Sequence, residues 1–217
     1  MADSDSRAGA RYATPEILAW LDRVHAPHDA ALENVYKSPD ATGIPAIQLG
    51  QAEAGFLEWL VRFARVKNAV EVGTLAGYSA VRIARGLVPG GHLHTLEASP
   101  EHARIARENI ARAGVGERVT VVEGDARETL KALSVKGPFD LVFLDADKAS
   151  YEHYGRWARE HVRVGGLLVA DNVYLFGRLL SESDEAKSVR RFHEEAATHF
   201  DTACVPTPDG LLVGVRR

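Results

Sequence analysis

The stretch Phe139-Asp140-Leu141-Val142-Phe143-Leu144-Asp145-Ala146-Asp147-Lys148 is an apolar run that ends abruptly in acidic side chains. The run Gly166-Leu167-Leu168-Val169-Ala170 repeats this pattern, since it leads directly into Asp171 and Asn172. Short apolar runs of this kind, bounded by Gly and Pro, are typical of buried parallel strands. Ligands of open α/β sheets bind beyond the carboxyl ends of the strands, where the strand order reverses. Asp145, Asp171 and Asn172 are therefore expected to converge at one edge of a sheet.

These three side chains offer only oxygen atoms as ligands. Hard cations prefer such ligands, whereas zinc and copper favour nitrogen and sulfur. The sequence therefore predicts a divalent cation held by Asp145, Asp171 and Asn172, with Mg²⁺ as the first candidate and Ca²⁺ or Mn²⁺ as alternatives. The other interpretation is that Asp145 and Asp147 cap the next helix, and for Asp147 this capping role is the favoured one.

Length and composition exclude several classes of protein. The 217 residues, 46% of them hydrophobic, suit one soluble globular domain. A net charge of −4 indicates no surface for nucleic acid, and the single cysteine excludes an internal disulfide and a multi-cysteine zinc site. No segment approaches the ~20 apolar residues of a membrane span, and no signal pattern follows Met1. We expect a cytoplasmic protein without nucleic-acid or membrane partners.

A regular alternation of strand and helix patterns begins near residue 68. Strands are predicted at 69–72, 92–96, 119–122, 141–144 and 167–170, with helices at 78–87, 100–113, 126–133 and 151–161. A helix at 185–199 precedes two closing strands, 202–205 and 211–215, which the turn at 206–210 joins as an antiparallel hairpin. Helices that start at Thr14-Pro15, span 29–36 and span 51–65 precede this core. The prediction is one doubly wound α/β domain over 1–217, with a helical cap at 1–66 and a core at 67–217.

The turn after the first predicted strand reads Glu71-Val72-Gly73-Thr74-Leu75-Ala76-Gly77-Tyr78-Ser79. Its glycine spacing is Gly-x-x-x-Gly, which differs from the Gly-x-Gly-x-x-Gly that binds a dinucleotide pyrophosphate. Glu97 ends the second strand, where a carboxylate can accept both hydroxyls of an adenosine ribose. Asp125 and Ala126 follow the third strand and offer partners for an adenine edge. These features favour an adenosine ligand without a pyrophosphate.

The order of these motifs, from the glycine turn through Glu97 and Gly124-Asp125-Ala126 to Asp145-Ala146-Asp147-Lys148 and Asp171-Asn172, resembles a known family. It is similar to the cation-dependent O-methyltransferases, which include catechol and caffeoyl-CoA O-methyltransferases, from about Ile47 to Gly210. The resemblance implies a Rossmann-like class I methyltransferase fold: a seven-stranded, mostly parallel sheet of order 3-2-1-4-5-7-6, with helices on both faces and an antiparallel last strand. It also implies a homodimer. The contacts it implies for S-adenosylmethionine are Leu49, Glu71, Gly73, Thr74, Ser79, Glu97, Ala126 and Asp145.

The predicted activity is divalent-cation-dependent transfer of a methyl group from S-adenosylmethionine to one hydroxyl of a small vicinal dihydroxy aromatic. Lys148, three residues after Asp145, is the candidate general base, because a nearby cation would lower its pKa from the usual ~10.4. Two alternatives remain open. One is a metal-independent methyltransferase of the same fold, in which Asp171 and Asn172 only hydrogen-bond the substrate. The other is a nucleotide-binding module without turnover.

The segment after Asn172 departs from the plant members of the family, which have a tryptophan and an asparagine near the substrate. Here Leu175 and Phe176 are expected at that wall and make it more apolar, and no basic residue for a coenzyme A group is evident. A small or apolar catechol-like acceptor is therefore favoured. Tyr36, Trp59, Tyr174 and Phe176 are candidates for the substrate rim, although core packing is the favoured role for Trp59, as it is for Tyr78.

Overall fold

The computed structural model describes residues 3–7 and 12–217; residues 1–2 and 8–11, part of the predicted cap, lie outside it. In the described part, seven strands form one sheet of order β3-β2-β1-β4-β5-β7-β6, as predicted. The strands are β1 Asn68–Val72, β2 His92–Glu97, β3 Val119–Glu123, β4 Phe139–Leu144, β5 Val162–Ala170, β6 Phe200–Val205 and β7 Leu211–Arg216. β1 to β5 pair in parallel, whereas β7 runs antiparallel to both β5 and β6.

Helices cover both faces of this sheet, as the sequence predicts. They are α1 Ser4–Arg7, α2 Pro15–His25, α3 Ala30–Thr42, α4 Gln51–Phe63, α5 Tyr78–Gly86, α6 Pro100–Arg112, α7 Ala126–Leu133, α8 Tyr151–His161 and α9 Asp184–His199. On one face, Ile83 of α5 shares a core cluster with Leu141 of β4. On the other, Tyr154 of α8 shares a cluster with Val142. Neighbouring residues of β4 thus face opposite layers, which buries the strand on both sides.

Two elements are longer than the sequence predicts by more than two residues. α3 was expected to end before Ser38-Pro39, but it continues to Thr42 with Pro39 inside it. The helix tolerates the proline and ends at Gly43, whose left-handed φ of 75° lets its N–H bond the carbonyl of Pro39 at 2.9 Å. β5 begins at Val162 instead of residue 167, and its pairing with β4 shifts register near Phe139. Its first half lacks the apolar pattern of a buried strand, because residues 163–165 are exposed.

The outer surface of α2 and α4 exposes many apolar side chains. No residue of α2 is buried, and α2 packs against α4. Trp59, favoured as a core residue from the sequence, is instead 53% exposed, and its ring stacks on that of Phe63, which is 74% exposed. We call this set the outer apolar face: Ile17, Leu18, Trp20, Leu21, Val24, Trp59 and Phe63. In the described residues, no helix is both long enough and apolar enough to cross a membrane.

Candidate active site

A cavity of about 1130 Å³ opens beyond the carboxyl ends of β1, β2, β4 and β5. This is the position at which open α/β sheets bind ligands, since the strand order reverses between β1 and β4. All predicted site residues except Glu71 line this cavity: Leu49, Gly73, Thr74, Ser79, Glu97, Asp125, Ala126, Asp145, Lys148, Asp171 and Asn172. The topology therefore brings together residues that are widely separated in the chain.

The turn between β1 and α5 lies against the end of β4. Gly73 has a φ of 98°, and a Cβ added to it would lie 2.0 Å from the carbonyl oxygen of Asp145. The N–H of Asp145 donates to the carbonyl of Val72 at 2.9 Å, so the two strand ends are bonded side by side. Only glycine fits between them, because any side chain would overlap this backbone. The turn is thereby held next to the acidic end of β4.

Glu97 holds the same turn from the other side. Its Oε2 accepts the N–H groups of Thr74 at 3.2 Å and Leu75 at 2.8 Å, and its Oε1 accepts the N–H of Ser99 at 2.9 Å. The carboxylate therefore already has backbone donors while it lines the cavity. These bonds fix where its oxygens sit at the cavity wall. A ribose contact for Glu97 stays a prediction.

Glu71 is fully buried, and its carboxyl does not line the cavity. The hydroxyl of Thr95 donates to Glu71 Oε2 at 2.6 Å, and the hydroxyls of Thr95 and Thr74 lie 2.6 Å apart. Burial raises the pKa of Glu71 to about 8, although the hydroxyls of Ser79 and Thr95 oppose this shift. Glu71 thus contacts the cavity wall from within the core, and direct contact with a cofactor stays a prediction.

Asp125, at the start of α7, is exposed and paired with Arg127. Its Oδ2 lies 2.6 Å from Arg127 Nη2, and its Oδ1 accepts the backbone N–H of Arg127 at 2.8 Å. The guanidinium lowers the pKa of Asp125 to about 2. The carboxylate is therefore ionised and already engaged at this edge of the cavity. The predicted adenine contacts of Asp125 and Ala126 stay predictions.

Two acidic side chains and one amine meet at the ends of β4 and β5. Burial raises the pKa of Asp171 to about 7, and the negative charge of Asp145 adds to this shift. Burial also raises the pKa of Asp145, which Lys148 opposes from 3.3 Å. The raised pKa values of these two neighbouring carboxyl groups indicate that the site lacks a compensating positive charge. A bound cation would supply this charge.

The donor set at this point suits a hard cation. Among the residues that the structure describes, no three His, Cys, Asp or Glu side chains are arranged to hold a metal ion. A cation here would use two carboxylates and the amide of Asn172, which follows β5 with a left-handed φ of 55°. Mg²⁺ commonly binds through one or two carboxylates and keeps several waters, so this donor set fits Mg²⁺.

A family model described as O-methyltransferase matches residues 24–216. This chain belongs to the O-methyltransferase family. The O-methyltransferase family inferred from the motifs is therefore confirmed.

Relatives of this O-methyltransferase include two catechol O-methyltransferases. That of Mycobacterium tuberculosis is 42% identical over 175 residues, which cover 81% of this chain and 79% of the relative. The catechol O-methyltransferase of Niastella koreensis is 42% identical over 170 residues, which cover 76% of this chain and 77% of the relative. Among solved structures, the Bacillus cereus O-methyltransferase in complex with SAH superposes with a TM-score of 0.88 at 35% identity, covering 92% of this chain and 96% of that one.

Sequence reasoning missed Tyr151 in the site of this O-methyltransferase. Its hydroxyl lies 2.8 Å from Lys148 Nζ. The i, i+3 spacing of Lys148 and Tyr151 was visible in the sequence, but it becomes informative only once residues 148–150 are known to form a helical turn. Asp147 takes the N-cap position of this helical turn, as favoured from the sequence, but its side chain makes no capping bond. The side chain instead accepts the hydroxyl of Tyr154 of α8 at 2.6 Å.

The rim of the cavity is apolar on one side. Phe176, 64% exposed, lines it together with Ile47 and Pro208. Leu175 was expected at this wall, but it is fully buried in the core. The left-handed turn at Leu175 and Phe176, each with a φ of 53°, places the first side chain in the core and the second at the surface. Of the other rim candidates, Tyr174 packs against the core, and Tyr36 packs on the ring of Tyr78 at 5.0 Å. The buried packing role predicted for Tyr78 is confirmed.

Proposed function

We propose that this O-methyltransferase moves the methyl group of S-adenosylmethionine to one hydroxyl of a small vicinal dihydroxy aromatic and requires a divalent cation, with Mg²⁺ as the first candidate. The observation that carries the proposal is the acidic pair Asp145 and Asp171 beside the amine of Lys148 in one cavity. Two relatives named catechol O-methyltransferase support the acceptor class.

The cofactor proposal rests on the shape and charge of the cavity wall. S-adenosylmethionine supplies a methyl group on a positively charged sulfonium. Glu97 at the wall suits the ribose hydroxyls of this cofactor, and the acidic end of β4 at Asp145 suits its positive charge. The turn at Gly73 lets a ligand approach the backbone closely. Solved relatives in complex with SAH, from Bacillus cereus, and with SAM, from Streptomyces achromogenes, support the same cofactor.

Asp145, Asp171 and Asn172 would hold the cation. A cation bound there favours the ionised form of a hydroxyl beside it. Lys148 lines the same cavity, with only 11% of its side chain exposed, so it can reach an acceptor while largely shielded from water. Lys148 would accept the hydroxyl proton at Nζ, and the rest of the cavity wall would hold the acceptor oxygen near the donor methyl.

The apolar rim supports a small acceptor. Phe176, Ile47 and Pro208 offer hydrophobic surface to an aromatic ring and no charged partner. A vicinal diol suits a cation site that leaves positions open for two neighbouring oxygens. We therefore propose a compact catechol-like compound in preference to a coenzyme A thioester.

Cation dependence is tested by measuring the rate of methyl transfer from S-adenosylmethionine to a panel of catechols, first with EDTA and again after Mg²⁺ is restored. We expect EDTA to remove most of the rate and Mg²⁺ to recover it. A phenol with one hydroxyl is the matched control acceptor and should react far more slowly. A rate indifferent to EDTA would instead support the metal-independent methyltransferase. Binding of S-adenosylmethionine without transfer to any acceptor would support the module without turnover.

We also propose that the protein is a homodimer whose subunits meet at the outer apolar face. Apolar patches of several hundred Å² on a monomer mark interaction sites, and a standard interface buries about 800 Å² per partner. Trp20, Trp59 and Phe63 are each more than half exposed. A fully exposed aromatic side chain offers ~150–250 Å², so these three partly exposed side chains supply a few hundred Å², to which the aliphatic residues of α2 add.

The prediction for this face is that Phe63→Glu yields a monomer. Phe63 is 74% exposed, so the change should leave the fold intact while it places a charge in the apolar contact. Light scattering after gel filtration should give twice the chain mass for the wild type and the single-chain mass for the variant. Val135→Glu is the matched control, because Val135 is 88% exposed and lies outside the outer apolar face. A monomeric wild type, or a variant that stays dimeric, would contradict the proposal.

A further inference from the structure

The side chain of Tyr151 links the candidate base to the ends of two strands. Tyr151 is the first residue of α8 and is fully buried. Its hydroxyl oxygen lies 2.8 Å from Lys148 Nζ, 2.7 Å from the carbonyl oxygen of Asp171 and 3.2 Å from the carbonyl oxygen of Leu144. Leu144 ends β4, and Asp171 follows β5. The hydroxyl therefore contacts the two places from which the acidic side chains of the site project.

The hydroxyl of Tyr151 has one proton, and its partners decide where this proton goes. Main-chain carbonyls can only accept, so the proton is donated to Asp171 or Leu144. The oxygen is then left to accept a hydrogen bond from Lys148 Nζ. The direction of the Lys148–Tyr151 bond is thereby fixed.

Tyr151 is also held rigidly. Its ring packs edge-on against Phe192 of α9, with 5.4 Å between ring centroids and 76° between ring planes. The Nζ of Lys148 lies 4.6 Å from the centroid of the same tyrosine ring. The hydroxyl thus has a set position, since a buried aromatic side chain packed on two helices has few rotamers available.

The Nζ of Lys148 has three positions besides its bond to Cε. At one position, an N–H group donates to the hydroxyl of Tyr151. At a second, an N–H group donates to Asp145 Oδ1 at 3.3 Å. One position remains, and Lys148 lines the cavity. We propose that Tyr151 is a positioning residue: its hydroxyl orients the amine of Lys148 so that the remaining position faces the acceptor hydroxyl. This inference rests on the proposed function, in which Lys148 takes the proton.

Tyr151→Phe tests the proposal because it removes only the hydroxyl. Loss of an orienting bond should lower kcat ~10- to 100-fold, the scale that a small misplacement of a reacting group produces. KM for the catechol and the calorimetric Kd for S-adenosylmethionine should stay within about twofold, since neither ligand needs this hydroxyl for binding. A structural role alone would instead move Kd, KM and the melting temperature together.

Two further variants make the result specific. Tyr154→Phe, on the same helix, removes a hydroxyl that bonds Asp147, and it should lower kcat far less than Tyr151→Phe. In a Lys148→Ala background, Tyr151→Phe should change the residual rate little, because residues that act through one another are not additive. A further large loss of rate in that background would overturn the proposal. It would also be overturned if the wild type were active and Tyr151→Phe kept the full wild-type rate. A wild type without methyl transfer would instead contradict the proposed function itself.

Discussion

Replacement of Lys148 by alanine is expected to lower kcat by about 10²- to 10⁴-fold, the range that a positioned general base contributes. The amine lies 3.3 Å from Asp145 and 2.8 Å from Tyr151, within the cavity where the acceptor would bind. The turn at Gly73 is held by bonds from its backbone to Glu97, which do not involve this amine, so the calorimetric Kd for S-adenosylmethionine should stay within about twofold. Steady-state kinetics with a catechol and calorimetry together test both parts.

The variant Lys148→Arg distinguishes two roles of Lys148, namely transfer of a proton and supply of a positive charge. An arginine keeps the positive charge near Asp145 but cannot lose its proton, so this variant should also be inactive. Lys131→Ala is the matched surface control, because the side chain of Lys131 is 64% exposed on α7 and pairs with Glu128 on the same helix. If Lys148→Arg keeps the rate, the side chain contributes charge and is not the base.

Gly73→Ala is expected to destabilise the fold by at least ~3 kcal/mol, because it combines backbone overlap with an unfavourable φ. The new Cβ would lie 2.0 Å from the carbonyl oxygen of Asp145, which belongs to the backbone and cannot rotate away. The strand ends of β1 and β4 would have to separate. We therefore expect the melting temperature to fall by roughly 10 °C, at ~2–4 °C per kcal/mol for a chain of this size, together with loss of S-adenosylmethionine binding.

Gly114→Ala is the control for the φ effect alone. Gly114 has a φ of 73°, and nothing lies within 4 Å of its added Cβ. Gly114→Ala should lower the free energy of unfolding by about 1 kcal/mol, which is the strain of an alanine in the left-handed conformation. Equal melting temperatures for the two variants would contradict the steric account of the contact between Gly73 and Asp145.

The strands that position the site could be predicted because they are buried on both faces. The runs that end at Leu144 and Ala170 are continuous in apolar residues, so their polar ends stand out in the sequence. The N-terminal half of β5 has no such pattern, since residues 163–165 are exposed and the pairing with β4 shifts register between Val162 and Leu167. Pro39 is a helix breaker by propensity, but the burial of Leu32 and Val35 stabilises α3 around it.

Side-chain partners inside the site were harder to predict than the site residues themselves. Glu71 was expected at the cofactor, but its carboxyl faces Thr95 across the β1–β2 pair, a contact that only the strand register reveals. Tyr151 gave no signal beyond its spacing from Lys148. Trp59 looks like a core residue by hydrophobicity, and one sequence cannot show that its side of α4 faces outward.

The position of β7 between β5 and β6 has a consequence for how the cavity is assembled. β6 reaches the sheet only through β7, although β6 comes first in the chain. β6 can therefore join the sheet only once β7 is in place. Their connecting turn carries Asp209, whose carboxylate accepts the N–H of Phe176 at 2.7 Å. The hydrophobic rim around Phe176 therefore depends on the β6–β7 turn, and a chain with only β1 to β5 in place would lack this part of the cavity wall.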